Sequence, residues 1–296
     1  MKEVSECVWD LWEVVRNKSQ PNPWKGPGSS SSSASSSSDV VAISKRPSVH
    51  FVFVGDSHVR NLFEAFFKRI VSRRMKYHSS GMKENEWKNP NYHKVFWKNK
   101  KPGNYHKLLH LDIPLKATFY WDPRLILLPE YLSSWMSGKA SKPTYLITAG
   151  TALHFMAVTS SIYLTKGIEA SSVPFIDCLK KLSPLLAEFS KTTPVVFKLQ
   201  DHLKRHRSNR FRDQRTVDRY NQISYELLPR SSNFIIWNST IPMSDIYWQG
   251  CSQLGSEIRR SENWRCQNFQ HLGFVVFHQF IDMFLNGICC CFKNKW

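Results

Sequence analysis

Hydrophobic positions begin to organise at residue 49. Val49-His50-Phe51-Val52-Phe53-Val54 is a β-branched and aromatic run stopped by Gly55, the pattern of a buried strand. Val59, Leu62, Phe63, Phe66, Phe67, Ile70 and Val71 follow at helical spacing. The unit reads strand, tight turn, amphipathic helix. Four more strands are predicted at Ala117-Thr118-Phe119-Tyr120-Trp121, Tyr145-Leu146-Ile147-Thr148, Pro194-Val195-Val196-Phe197-Lys198-Leu199 and Phe234-Ile235-Ile236-Trp237. One-faced spacing predicts helices through Phe175, Cys178, Leu179, Leu182, Leu185, Leu186 and Phe189, through Val217, Tyr220, Ile223 and Leu227, and through Phe277, Phe280, Ile281, Phe284 and Ile288. The stretch 73–109 is polar, basic and aromatic, with Trp87, Trp97 and Tyr105, and reads as a long excursion.

Short strands separated mostly by helices predict an α/β protein, a three-layer α/β/α fold around a five-stranded parallel sheet. In such sheets ligands lie beyond the carboxyl ends of the strands. Gly55 to Ser57, Gly150, and Gln200-Asp201 all fall at predicted carboxyl ends. That marks one rim for chemistry.

Composition changes the picture at the ends. Residues 1–48 contain a Pro- and Gly-rich stretch and then serine from 29 to 38 broken only by Ala34, so they read as a poorly ordered N-terminal segment with a linker. The expected domain is 49–296. Its apolar content, 42% hydrophobic overall, excludes a wholly disordered chain, and seven Cys in 296 residues exclude a disulfide-built mini-protein. The first sixteen residues carry acidic side chains and no apolar core, so no secretory signal is expected. The most apolar late stretch, 272–292, contains His278, Gln279, Asp282 and Asn286, which predicts an amphipathic helix and no membrane span. The net charge of +18 favours anionic ligands, or else describes a solvated basic surface. Nucleic-acid binding has only this charge and interleaved aromatics behind it, with no recognition signature, so no nucleic-acid partner is expected. No His, Cys or Asp cluster has metal-ligand spacing.

Two pieces carry chemistry. Gly55-Asp56-Ser57 stands at the first strand-helix junction, where a serine projects into the crevice and the helix N-terminus stabilises an oxyanion. The same residues also fit a plain helix cap. Cys266-Gln267-Asn268-Phe269-Gln270-His271-Leu272-Gly273 stands just before the last helix, and its histidine is a candidate general base or a surface residue at a helix start.

Together, Phe53-Val54-Gly55-Asp56-Ser57-His58-Val59-Arg60-Asn61-Leu62-Phe63, Ala149-Gly150-Thr151-Ala152, Leu199-Gln200-Asp201, Asp218-Arg219-Tyr220-Asn221 and His271-Leu272 resemble the PC-esterase branch of the SGNH/GDSL hydrolase superfamily. Within it they are most similar to the luminal catalytic domains of sialate (N-acetylneuraminate) 9-O-acetyltransferases. The resemblance implies Ser57 as nucleophile and His271 as base, with an acid at 268, where this chain has Asn268. An amide brings no charge to an imidazolium. In a serine protease the same exchange lowers kcat by about 10⁴, about 5 kcal/mol. Three outcomes follow: a Ser-His pair suffices, another carboxylate such as Asp201 or Glu262 substitutes, or the domain is a degenerate pseudoenzyme that binds carbohydrate or a partner.

The resemblance further implies an oxyanion hole from the Ser57 N–H with Gly150 as a second donor region. Gly55, Asp56 and Arg60 complete the candidate substrate-binding set. No cofactor is implied as resident. Acetyl-CoA is the implied acetyl donor and a nucleotide-activated sialic acid the acceptor, with basic clusters at 98–107 and 204–215 to steer them. The implied setting is the Golgi lumen of a glycoprotein, which would permit a Cys251–Cys266 disulfide pinning the histidine loop; two free thiols are the alternative. Asn238-Ser239-Thr240 and Asn17-Lys18-Ser19 fit the glycosylation pattern, and Cys289-Cys290-Cys291 fits palmitoylation if cytosolic.

Overall fold

Apolar runs with β-branched and aromatic residues form the centre of the sheet, and one-faced apolar stripes form the helices that cover it. The computed structural model describes residues 49–70, 75–79, 101–110, 115–149, 152–204 and 213–292. In chain order its elements are β1 (Val49–Gly55), α1 (Ser57–Ile70), β2 (Met75–Ser79), β3 (Tyr105–His110), β4 (Leu115–Trp121), α2 (Leu128–Met136), β5 (Tyr145–Ala149), α3 (Ala152–Val158) and α4 (Ser160–Ser190). There follow β6 (Val195–Lys198), α5 (Gln214–Leu227), β7 (Phe234–Trp237), α6 (Thr240–Gln253), α7 (Ser256–Arg260) and α8 (Phe274–Phe292). The expected N-terminal segment 1–48 lies outside the described residues.

The chain is α/β, but its sheet is mixed, with seven strands in the order β2-β3-β4-β1-β5-β6-β7. This corrects the five-stranded parallel sheet. The five expected strands are the parallel ones, with β1 paired to β4 and β5, β5 to β6, and β6 to β7. The two additional strands, β2 and β3, pair antiparallel at the β4 edge. They come from the stretch that read as an excursion. Met75-Lys76-Tyr77-His78-Ser79, at the edge, and Tyr105-His106-Lys107-Leu108-Leu109-His110, between β2 and β4, interleave Lys and His with apolar residues, whereas interior parallel strands are apolar on both faces.

Period-two alternation in β1 feeds a core on each side of the sheet. Phe51 and Phe53 pack with Val59, Leu62, Phe63, Phe66 and Phe67 of α1 and with Phe277, Phe280, Ile281 and Phe284 of α8. Val52 and Val54 face the other way, toward Leu128 and Leu132 of α2, Phe175, Leu179 and Leu182 of α4, and Val217 and Tyr220 of α5. An ion pair between Arg69 and Asp282 ties α1 to α8, with Arg69 Nε 3.0 Å from Asp282 Oδ1. Among the described residues no helix is long and apolar enough to cross a membrane.

Counting the parallel strands alone, the order is 2-1-3-4-5 in chain sequence. The direction of connection reverses beside β1, which places a crevice outside the carboxyl ends of β1 and β5. β1 delivers Ser57 to that place and β5 leads into α3.

Candidate active site

Gly55 lets β1 run straight into α1. Its φ is +157°, and a Cβ there would lie 2.5 Å from Val59 Cγ2. Asp56 caps the helix: its Oδ1 accepts the His58 N–H at 2.8 Å, and its carbonyl accepts the Arg60 N–H at 2.9 Å. Ser57 is therefore the first residue of α1, where an N–H has no acceptor within the helix. Asp122, after the neighbouring β4, steadies the turn by donating its N–H to the Gly55 carbonyl at 3.0 Å.

His271 arrives from the other end of the chain on a loop fixed at several points. Cys266 is disulfide-bonded to Cys251 of α6, as one of the two expected alternatives had it. The Gly273 N–H donates to Tyr247 Oη at 3.1 Å, and a Cβ at Gly273 would meet the Asn263 carbonyl oxygen at 2.1 Å, so only glycine allows the loop to fold against itself there. The result is a contact across 214 residues: His271 Nε2 lies 2.8 Å from Ser57 Oγ.

Asn268 meets the other side of the ring, with Oδ1 at 3.3 Å from His271 Nδ1. The same oxygen accepts the N–H groups of Gln270 at 3.0 Å and His271 at 3.1 Å. Two backbone donors thus turn the amide carbonyl, and not its NH₂, toward the ring. An accepting oxygen at Nδ1 calls for the proton there and leaves the Nε2 lone pair facing the Ser57 hydroxyl. That is the tautomer a general base needs.

The charge balance is less favourable. Burial pushes His271 down to about 3, reinforced by His58, Arg60 and Arg265; Asp56 opposes the shift. His58, stacked on His271 with ring centres 5.2 Å apart, is also pushed down, chiefly by its own burial. Burial of Asp56 favours its neutral form, but the imidazoles of His58 and His154 and the His58 N–H outweigh it and hold the carboxyl below its usual range. Asp56 is thus an anion under the nucleophile.

The remaining candidates take other places. Arg60, expected among the substrate-binding residues, is buried: its guanidinium pairs with Glu64 at 3.6 Å and lies 5.7 Å over Trp121, because α1 is buried all round from residue 58 to 67. Asp201, a candidate substitute acid, is fully buried and paired with Lys198 at 2.6 Å. Glu262, the other, is exposed on the loop. Gly150 lies outside the described residues, as do 205–212 and 98–100 of the basic clusters, Asn17, and the side chains of Cys289 to Cys291. Tyr220 packs on Phe175 and donates to the Ser171 carbonyl. Asn221 bonds both backbone groups of Gln200 at 2.9 Å.

Sequence reasoning overlooked His154. It follows β5 at the start of α3, with Nε2 3.9 Å from Asp56 Oδ2 and its ring edge-on to Trp121. Its signal was its place: the first turn of a helix after a parallel strand, at the rim already marked. Chemically, the arrangement is a hydroxyl and an imidazole in contact at a helix N-terminus, with a buried carboxylate beside them.

No family model matches the chain, and no solved structure matches it.

Proposed function

We propose that the chain is an O-acyltransferase or esterase of the SGNH type, acting on acetyl groups at a sugar hydroxyl through an acetyl-Ser57 intermediate. The observation that carries this reading is the 2.8 Å contact between Ser57 Oγ and His271 Nε2. Position at the β1–β5 crevice, the helix N-terminus behind Ser57 and the orientation of Asn268 support it further.

In this mechanism His271 Nε2 takes the hydroxyl proton as Ser57 Oγ attacks the acetyl carbonyl. The Ser57 N–H faces the oxyanion. Collapse breaks the bond to the donor, a thioester of the acetyl-CoA type, and the imidazolium returns the proton to the leaving sulfur. A sialic-acid-type hydroxyl then gives its proton to Nε2 as its oxygen attacks the acetyl carbonyl; the acyl bond to Ser57 Oγ breaks and the imidazolium returns the proton to Oγ, freeing Ser57. A Golgi-lumenal setting would suit both the disulfide and this acceptor.

A second reading, a catalytically silent module that binds carbohydrate or a partner, is favoured by Asn268 and by the depressed basicity of His271. One experiment separates them. A fluorophosphonate probe should label the wild-type chain at Ser57, and p-nitrophenyl acetate should be hydrolysed faster than by Ser57→Ala or His271→Gln. Equal rates for all three, with no label, would leave only the binding module.

A further inference from the structure

We propose that His202, clamped between Asp218 and Asp245, is a positioning residue for the loop that carries His271, and that loss of the ring proton loosens this loop. The inference rests on the acyl-transfer reading for its meaning in catalysis, but not for its geometry.

The segment leaving β6 at the catalytic rim, residues 199–204, is held at nearly every position. The Leu199 N–H donates to the Trp237 carbonyl at 3.0 Å, and Gln200 is held by Asn221. The His202 N–H donates to Ser244 Oγ at 3.1 Å, and Trp248 Nε1 donates to the His202 carbonyl at 2.9 Å. The ring then spans two helices, with Nδ1 2.8 Å from Asp245 Oδ1 of α6 and Nε2 2.9 Å from Asp218 Oδ1 of α5.

Two residues further on, the segment grips the histidine loop. The Lys204 N–H donates to the Phe269 carbonyl at 3.3 Å, and its ammonium donates to the Cys266 carbonyl at 2.8 Å. These contacts bracket Asn268. Ser244, Trp248 and Cys251 lie on one stripe of α6 by their i, i+4, i+7 spacing, so the helix that holds the segment also holds the loop, through the disulfide.

A neutral imidazole has one N–H and serves one carboxylate; the imidazolium serves both. Among the described residues, the charged groups facing the ring are Asp218 from α5 and Asp245 from α6. Gln214 of α5, 3.4 Å from Nδ1, and the Ser244 and Trp248 groups of α6 are neutral. On its own segment, Asp201 is taken up by Lys198, and Lys204 points to Cys266. Burial pulls His202 downward, but the hydrogen bonds and charges of Asp245 and Asp218 outweigh it and hold the ring above its ordinary value. The clamp is therefore whole below the ordinary histidine range and is lost as pH rises through the raised value. His271, held down to about 3, stays neutral throughout and contributes no alkaline decline of its own.

The test uses the full chain, His202→Gln and Asp218→Asn between about pH 6 and 9. Amide exchange of 262–271, corrected for its intrinsic pH dependence, reads the loop; fluorophosphonate labelling of Ser57 reads the site. In the wild type, exchange should rise about ten-fold with pH while labelling falls, and in His202→Gln exchange should be fast at every pH. Asp218→Asn should shift the transition to lower pH. Exchange in the wild type equal to that of His202→Gln, or an unchanged transition in that variant, overturns the proposal. If His202→Gln fails to fold, an unshifted transition in Asp218→Asn, on an exposed side chain, overturns it instead. Loop exchange that behaves as expected on a chain that never labels keeps the clamp and refutes acyl transfer.

Discussion

The amide of Asn268 orients the His271 ring without lending it charge, and those two contributions can be separated by one atom. Replacing the amide NH₂ by oxygen in Asn268→Asp keeps the acceptor that binds two backbone N–H groups and the ring. The new anion stabilises the imidazolium, so the His271 pKa rises from its depressed value near 3. The labelling rate of Ser57 should then rise, by up to about 10⁴-fold on the serine-protease precedent. Its pH profile should also change shape. In the wild type the base is free from about pH 4 upward, so the rate is flat between about pH 4 and 6, below the range in which His202 titrates; in the variant the rate falls as pH drops through the raised pKa. A profile flat over that acidic interval in both chains would show that the charge of residue 268 is not felt by the ring. The absence of an acid at 268 was legible in the sequence through the resemblance, which implies an acid three residues before the histidine, where this chain has Asn268. The direction of the amide was not, since it depends on the Gln270 and His271 N–H groups. Nor was the burial of Asp201, which removes it as a substitute acid.

Loop 261–273 turns a helix start into part of a site, and its fixity has a measurable source. The Cys251–Cys266 disulfide closes a loop of separation 15. Removing such a crosslink frees the unfolded chain and should cost about 3 kcal/mol, so Cys251→Ala with Cys266→Ala should lower the urea midpoint accordingly. Ser57 labelling should slow as well, since Cys266 also presents its carbonyl to Lys204. A double variant with wild-type stability would show that the bond constrains nothing the other contacts do not. Element legibility followed burial. The five parallel strands and α1, α4, α5 and α8 announced themselves because each buries a continuous run or a clean stripe. β2 and β3 did not, because Lys and His interrupt their apolar positions, and the His78 and His106 buried there add nothing to an apolar run. α6 did not, because its stripe includes Ser244, whose hydroxyl bonds the backbone of His202 and the Ile241 carbonyl instead of filling a core.

Across the molecule the charge of +18 and the buried histidines act in the same direction under acid. His50 on β1 and His106 on β3 are both buried and pushed down, to about 3 and about 4, by burial first and then by Lys116 and Lys107 near His50 and Arg60 near His106. Folded, each stays neutral well below the pH at which the unfolded chain takes up its proton. The unfolded state thus binds more protons in that interval, and stability falls as pH drops below about 6.5. Two such groups give a slope of at most about 3 kcal/mol per pH unit. Protonation of carboxylates then adds to an already large positive charge, and self-repulsion continues the trend. The thermal midpoint should therefore begin to fall at mildly acidic pH, before ordinary carboxylates titrate. His50→Gln keeps a polar neighbour for Thr118 Oγ1, 2.9 Å from the ring in the wild type, and removes one proton from the balance. Its midpoint should fall less steeply with acid than that of the wild type. An identical slope in the two chains would mean that the sheet does not exclude the proton from His50.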